Sequence, residues 1–130
     1  LLKSPDTALS AIAEKSLKEV TYHVRWSSEW VIRLGDGTTE SHERMNKAIE
    51  LLWPFTGELF LPAAYEVVDV SKLQEPWLNQ VKEVFDEATL TVPQKVFMQS
   101  GGKTGMHTEH MGYILAELQF LQRAYPNSVW

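Results

Sequence analysis

The sequence contains no cysteine, which excludes disulfides, thiolate zinc sites, iron–sulfur clusters and a cysteine nucleophile. Its formal net charge is −5, so no excess of basic residues is available to meet nucleic-acid phosphates or an anionic membrane surface. No apolar run approaches the roughly 18 residues that a membrane-spanning helix needs, and no signal peptide opens the chain. We therefore expect a cytoplasmic protein with neither nucleic acid nor a membrane as a partner.

Hydrophobic residues are plentiful, at 44% of 130 positions, and this is enough for the packed core of one domain. The chain shows no internal repeat and no linker long enough to separate domains. It opens with Leu1-Leu2-Lys3 rather than methionine, which indicates a processed product or the tail of a longer chain.

Apolar periodicity predicts a first helix of unusual length, from about Pro5 to Leu34. Ser4 is its predicted N-cap, and the GDG turn at 35–37 is predicted to end it. About 30 residues at 1.5 Å each give roughly 45 Å. That length suits a helical bundle or a long helical hairpin.

A second helix is predicted to begin at Thr39, its candidate N-cap, to kink near Pro54 and to finish by about Leu61. A third, shorter helix is predicted to begin at Pro76. Between them, the β-prone run Tyr65–Val70 has no obvious partner strand. The middle of the chain is therefore predicted to be helical or irregular, without a sheet.

The fourth predicted helix lies within His107–Pro126, capped by Thr108 or Thr104 and stopped by Pro126. It is apolar on two sides, which is typical of a helix buried between other elements or at a subunit interface. Together the four segments predict an all-α, bundle-like chain. Two long and two shorter helices would leave a ragged core, so we expect partner helices from elsewhere.

Glu19 and His23 are the first candidate metal ligands, because di-iron bundles use inward-facing glutamates and Glu-x-x-His pairs. Here the histidine follows the glutamate by four residues rather than three. The pair still shares a helix face, but it departs from the motif, and no second Glu-x-x-His occurs in the chain. A Glu–His hydrogen bond on the helix flank is the simpler interpretation.

His107, Glu109, His110 and Glu117 are the second candidate set. Their spacing matches neither His-Glu-x-x-His nor the inverted motif His-x-x-Glu-His. With Thr108 as the cap, His107 lies outside the helix and Glu109 lies in its first turn, where the helix dipole favours an acid. We therefore interpret these residues as a capped helix start, with a metal site at His110 and Glu117 as the alternative.

The break between Pro54 and Pro62 is a candidate ligand site, because helix breaks leave backbone groups without intrahelical partners. Phe55, Phe60 and Leu61 surround those groups with apolar surface, as a small molecule or a pantetheine-like arm would require. A kinked core helix is the competing interpretation. The glycine-rich SGGKTG segment at 100–105 lacks the phosphate-loop pattern and is interpreted as a plain loop.

Three strings carry a resemblance to a known family. They are EKSLKEVTYHVRWSSEWVIRLGDGT (14–38), FTGELF (55–60) and GGKTGMHTEHMGYILAELQFLQRAYP (101–126). Long and peculiar, they resemble the C subunits of bacterial phenylacetyl-CoA epoxidases (ring-1,2-phenylacetyl-CoA epoxidases). These enzymes are the multicomponent oxygenases of aerobic phenylacetate breakdown.

The resemblance implies a ferritin-like helical bundle, of which residues 1–130 would be the C-terminal part and therefore incomplete. It also implies a complex. In the family, the di-iron centre that activates O2 lies in the catalytic A subunit, and a reductase supplies electrons from NADPH. The C subunit has the same fold without a competent metal site, and it holds the A subunit in place.

Three functions follow from these observations. The first is a non-catalytic structural subunit without a cofactor of its own, which scaffolds the di-iron subunit and shapes the site of the CoA substrate. Leu59, Phe60 and Leu61 are its predicted substrate contacts. The first alternative is a catalytic di-iron oxygenase subunit with Glu19 and His23 among the ligands. The second is a stand-alone helical binding module.

Overall fold

The protein is all-α, as predicted, in a computed structural model that describes residues 1–129. Its α-helices are α1 (Thr7–Gly35), α2 (Thr39–Leu52), α3 (Gln74–Glu87), α4 (His110–Leu118) and α5 (Phe120–Ala124). Short 3-10 turns span Trp53–Phe55, Gly57–Phe60, Val70–Leu73 and Gly102–Thr104. The described residues contain no strand. This helical class is what the ferritin-like bundle of the resembled family requires, and the chain divides into two compact units at Gln99.

The long first helix is confirmed, but its N-cap is Asp6 and not Ser4. The Asp6 side chain accepts hydrogen bonds from the backbone N–H groups of Ala8 and Leu9. A carboxylate satisfies two first-turn donors at once and also interacts favourably with the helix dipole. The Ser4 hydroxyl instead accepts a hydrogen bond from the backbone N–H of Asp6. Ser4 therefore lies two residues before the N-cap, outside the helix.

The second helix is capped by Thr38, one residue earlier than predicted. The Thr38 and Ser41 side chains bond reciprocally to each other's backbone N–H groups and form a capping box. The helix ends at Leu52, just before Pro54, and continues as two 3-10 turns as far as Phe60. The predicted break near Pro54 and the predicted end near 61 are both confirmed.

The third helix begins at Gln74, two residues before its predicted start, so Pro76 occupies its third position. A proline is tolerated there, since the first-turn N–H groups have no intrahelical acceptors to lose. The preceding run Tyr65–Val70 forms no strand.

The core of the first unit (Leu1–Gln99) lies where the ends of α1, α2 and α3 meet. Its buried side chains are Trp53, Phe85, Ala88 and Leu90. Partly buried side chains pack against them: Val31, Ile32, Met45, Ile49, Trp77, Leu78, Val81, Val84, Val92 and Val96. The apolar face of α3 is thus a core face, whereas α1 contributes only residues of its last turns.

The end of α1 is fixed by hydrogen bonds to its last carbonyl. The Gly35 carbonyl oxygen accepts from His42 Nδ1 at 2.7 Å and from the Thr89 hydroxyl at 3.4 Å. Because a carbonyl oxygen can only accept, His42 carries its hydrogen on Nδ1. The predicted termination at the GDG turn is confirmed, and these bonds tie the end of α1 to α2 and to Thr89, just beyond α3.

The second unit begins at Ser100, and its predicted single helix is two. Gln119 leaves the helical conformation (φ −97°, ψ 1°) and separates α4 from α5. Neither Thr104 nor Thr108 caps α4. Glu109 holds the cap position without a side-chain hydrogen bond, so its predicted place in the first turn is wrong. The SGGKTG loop uses its glycines for left-handed backbone at Gly101 and Gly105.

Within residues 1–129, none of the helices combines the length and the apolarity that crossing a bilayer requires.

Candidate functional site

Glu19 and His23 lie on one face of α1, four residues apart, and both are exposed. Within residues 1–129, no group of three or more histidines and carboxylates is close enough to hold a metal ion. A di-iron centre needs several carboxylates converging on the metal. The donor set supplied by this part of the chain therefore does not fit that group.

The histidines and glutamates of the second unit are exposed along one short segment. His107 precedes α4, as predicted, while His110 is the first residue of that helix and Glu117 lies near its end. Seven residues separate His110 from Glu117, about 10 Å along the helix axis. They belong to no ligand cluster in the described part of the chain.

The three residues predicted to contact substrate have different environments. Phe60 is 9% exposed, whereas Leu59 is 56% and Leu61 is 50% exposed. Side chains of consecutive residues in a 3-10 turn point in different directions. Of the three, Phe60 lines the cavity that lies beside the helix break, and Leu59 and Leu61 do not line it.

The backbone carbonyls freed by the helix break have partners inside the chain. Trp53 O accepts from the backbone N–H and the hydroxyl of Thr56. Pro54 O accepts from Gln99 N at 2.7 Å. These two carbonyls therefore have partners within the chain, as a kinked core helix would also provide.

A cavity of about 260 Å³ lies beside the break, between the 3-10 turns, α3 and the segment 92–98. Its lining is Trp53, Thr56, Gly57, Phe60, Gln74, Trp77, Leu78, Lys82, Val92, Pro93, Gln94 and Met98. Leu78 and Lys82 lie four residues apart on α3, a spacing that the predicted helix already contained, whereas Gln74 precedes the predicted start of that helix. The segment 92–98 has no periodicity that would have pointed to it.

Aromatic rings form one wall of this cavity. The Phe60 and Trp77 ring centroids are 5.2 Å apart, and those of Trp53 and Trp77 are 5.6 Å apart. All the planes are tilted, as aromatic pairs prefer. Trp53 also contacts Phe85 at 6.1 Å, which joins the wall to the core and fixes it.

Another part of the cavity lining depends on a glycine. A Cβ at Gly57 would lie 2.9 Å from Met98 Cγ and 3.0 Å from its sulfur, so Met98 packs against the turn only because that Cβ is missing. The hydrogen bond from Gln99 N to Pro54 O holds the same segment in place.

A second space, of about 370 Å³, lies between α1 and α3. Its lining is Val24, Ser27, Ser28, Val31, Trp77, Gln80, Val81, Val84 and Phe85. Trp77 thus lines both spaces. No charged side chain lines this groove, and it opens beside the exposed part of α1.

That part of α1 carries an exposed aromatic surface, which we define as Tyr22, Trp26 and Trp30. The indoles of Trp26 and Trp30 pack edge to face with centroids 6.3 Å apart. The guanidinium of Arg25 lies 5.7 Å from the Tyr22 ring centroid, and that of Arg33 lies 5.6 Å from the Trp30 ring centroid. Trp, Tyr and Arg are the side chains enriched at energetically dominant positions of protein interfaces.

Two comparisons with known proteins show which family this chain is similar to. The family model described as "Phenylacetic acid catabolic protein" matches residues 1–130, the entire chain. The chain is also 44% identical over 138 residues to the C subunit of the 1,2-phenylacetyl-CoA epoxidase of Escherichia coli (strain K12). That alignment covers 100% of this chain and 56% of the relative, so the chain spans little more than half of the relative's length.

Proposed function

The chain belongs to the family of phenylacetic acid catabolic proteins, and on that basis we propose that it is part of the C subunit of a phenylacetyl-CoA epoxidase. In this proposal the subunit is non-catalytic and cytoplasmic. It scaffolds the catalytic A subunit during aerobic phenylacetate breakdown.

The exposed apolar surface of α1 is the observation that carries the scaffolding role. Ile12, Leu17, Val20 and Trp26 are each half exposed or more. Monomeric soluble proteins rarely leave contiguous apolar patches of this kind open to water, and such patches mark interaction sites. A helix whose apolar face is exposed over several turns is suited to packing against other helices.

The helices α4 and α5 of the second unit also expose large apolar side chains. Tyr113, Leu118 and Phe120 are all exposed, on a helical pair predicted to be apolar on two sides. An interface core enriched in aromatic and aliphatic side chains is typical of permanent complexes. We propose that this surface, too, contacts other subunits of the epoxidase.

The proposal assigns the di-iron centre to the A subunit. The pair Glu19 and His23 supports that assignment, because its spacing departs from Glu-x-x-His and both side chains are exposed. Trp26 and Trp30 lie beside Glu19 and His23, on the face of α1 that would carry metal ligands in a di-iron subunit. Such a face is suited to packing.

The proposal includes a contact with phenylacetyl-CoA at the subunit interface, through Leu59, Phe60 and Leu61. The exposed side chains of Leu59 and Leu61 offer apolar surface next to the helix break. The ring of Phe60 packs on Trp77 and keeps that surface in position.

Iron analysis of the full-length protein, alone and with the A subunit, tests the scaffolding role. We expect a stable complex whose iron belongs to the A subunit, with Glu19→Ala leaving both the iron content and the activity unchanged. Glu14→Ala is the matched control, since Glu14 is also exposed on α1.

Two results would contradict the proposal. About two iron atoms bound per chain by the protein alone, lost in Glu19→Ala and retained in Glu14→Ala, would show a catalytic di-iron subunit. A monomer that does not bind the A subunit would show a stand-alone binding module.

A further inference from the structure

The cavity beside the helix break has the chemistry of a small binding site, and we propose that it holds an aromatic carboxylate, a single flat ring carrying one negative charge. Phe60 lines this site, whereas the exposed Leu59 and Leu61 do not. The inference does not depend on the chain's role in an epoxidase, because it rests on the lining of the cavity alone.

The aromatic wall selects a flat ring. Phe60 and Trp53 both contact Trp77 at tilted angles, so the wall presents ring faces and ring edges together. Aromatic ligands interact well with both, through offset stacking and edge-to-face contacts. Met98 also lines the cavity, and thioethers such as its side chain make favourable contacts with aromatic rings.

The volume selects a small ligand. Pockets for drug-sized molecules occupy roughly 300–1,000 Å³, and this cavity of about 260 Å³ lies just below that range. A single substituted ring fits such a space, whereas a nucleotide-bearing thioester does not.

The charge of the lining selects an anion. Lys82 is the only charged residue that lines the cavity, and it forms no ion pair with a carboxylate of the described residues. Because Lys82 is exposed, we place its ammonium group at the mouth of the cavity in the proposed complex. A carboxylate at the mouth with its ring directed inward satisfies both the cation and the aromatic wall.

The site is also built before a ligand arrives. The carbonyls of Trp53 and Pro54 are already bonded within the chain. The bond from Gln99 to Pro54 fixes the segment that carries Met98. A preformed wall lowers the entropy lost on binding. The ligand's carboxylate can only accept hydrogen bonds, and the Lys82 ammonium, a donor, is its partner in this proposal.

Calorimetric titration of the full-length protein with phenylacetate as the probe tests this site, with NMR of the Trp77 indole N–H as a second readout. We expect saturable binding with a Kd of about 1 mM or tighter. Phenylacetamide, which lacks the charge, and cyclohexylacetate, which lacks the aromatic face, should each bind at least about tenfold more weakly.

Three variants identify the cation. Lys82→Gln should weaken phenylacetate binding about tenfold, while Lys82→Arg should retain it. Lys47→Gln, which changes an exposed lysine of α2 outside the cavity, should leave it unchanged. Both positions are on the surface, so the fold is preserved.

Several results would overturn the inference. These are the absence of saturable phenylacetate binding, equal binding of phenylacetamide, or an unchanged affinity in Lys82→Gln. Displacement of phenylacetate by an equal concentration of phenylacetyl-CoA would overturn it as well, because the cavity would then belong to an aryl thioester rather than to a free carboxylate.

Discussion

Gly35 and Ala88 are in contact so close that α1 and α3 meet there backbone to backbone. A Cβ at position 35 would lie 2.5 Å from the Ala88 carbonyl oxygen and 2.8 Å from the Ala88 Cβ. Ala88 itself has no exposed surface. The contact joins the last turn of one helix to the end of another and closes the core of the first unit.

Gly35→Ala should therefore destabilise the protein, although alanine is the better helix former by about 1 kcal/mol. A backbone oxygen at 2.5 Å cannot turn away as a flexible side chain can. Overpacking of this kind costs about 1–3 kcal/mol, which exceeds the gain in propensity. Urea unfolding of the full-length protein measures the difference.

Gly112→Ala is the matched control, because Gly112 also lies in a helix and a Cβ there meets nothing within 4 Å. It should leave the free energy of unfolding unchanged or raise it by up to about 1 kcal/mol. Equal destabilisation by both substitutions would contradict the close contact at position 35.

Trp53 and Trp26 should differ strongly in their response to truncation. Trp53 is 8% exposed and packs on Trp77 and Phe85, so Trp53→Ala should lower the free energy of unfolding by about 3–5 kcal/mol. Trp26 is 53% exposed, and Trp26→Ala should lower it by less than about 1 kcal/mol. Denaturant melts of the full-length protein without its partners measure both values.

The aromatic surface of α1 should matter for assembly. Trp26→Ala should weaken the complex with the A subunit by about 2 kcal/mol, or roughly thirtyfold, as loss of a central interface tryptophan does. Lys18→Ala, an exposed position on the same helix, serves as the control and should change the affinity little. Titration of one subunit with the other gives the affinities. Unchanged binding in Trp26→Ala would place the interface elsewhere.

Ser71 should control the acidity of Asp69. The Ser71 hydroxyl donates a hydrogen bond to Asp69 Oδ1, and this bond is the largest cause that lowers the pKa of the carboxyl below 3.8. The lowered pKa means that any contribution of this carboxylate to stability is present above about pH 4 and is lost as the pH falls through the folded-state value. Ser71→Ala should raise the pKa of Asp69 toward 3.8, as measured by NMR titration.

Lys72→Gln is the comparison for that titration, because the contributions of Lys72 to the lowered pKa rank below the Ser71 hydroxyl bond. It should raise the pKa of Asp69 by less than Ser71→Ala does. The reverse order would show that charge, rather than the hydrogen bond, dominates.

Gly57→Ala should narrow the cavity without unfolding the protein. The new methyl group would meet the Met98 side chain, which can shift into the cavity, so the loss of stability should be smaller than for Gly35→Ala. The affinity for phenylacetate should fall with the lost volume. Calorimetry and a urea melt on the same sample measure both quantities, and an affinity equal to that of the unsubstituted protein would contradict the assigned position of the ligand.

The helices could be predicted because apolar residues recur at helical spacing in α1 and α3 and because Pro54 follows the end of α2. The caps were harder to place, because Ser4 and Asp6 are both good caps and only the bonds from Ala8 and Leu9 distinguish them. The break at Gln119 has no sequence signal at all, since neither glycine nor proline stands there.

The candidate site was predicted only in part, for a physical reason. Phe60 lines the cavity and lies in the helix break between Pro54 and Pro62, which the local sequence pattern predicts. Met98 reaches the cavity through a loop that pairs with Pro54 across more than forty residues, and no local pattern encodes that pairing. Leu59, Phe60 and Leu61 were predicted together as the end of the second helix, and the local pattern does not show that a 3-10 turn directs adjacent side chains apart.

Trp77 lines both the groove along α1 and the cavity beside the helix break. Because the two spaces share this side chain, neither can change in size or shape among relatives independently of the other. A smaller side chain at 77 would enlarge both at once. Mutations that adapt one space to a new occupant would therefore need compensating changes around the other, and their effects would not add. We expect the residues that line the groove and those that line the cavity to vary together across the family.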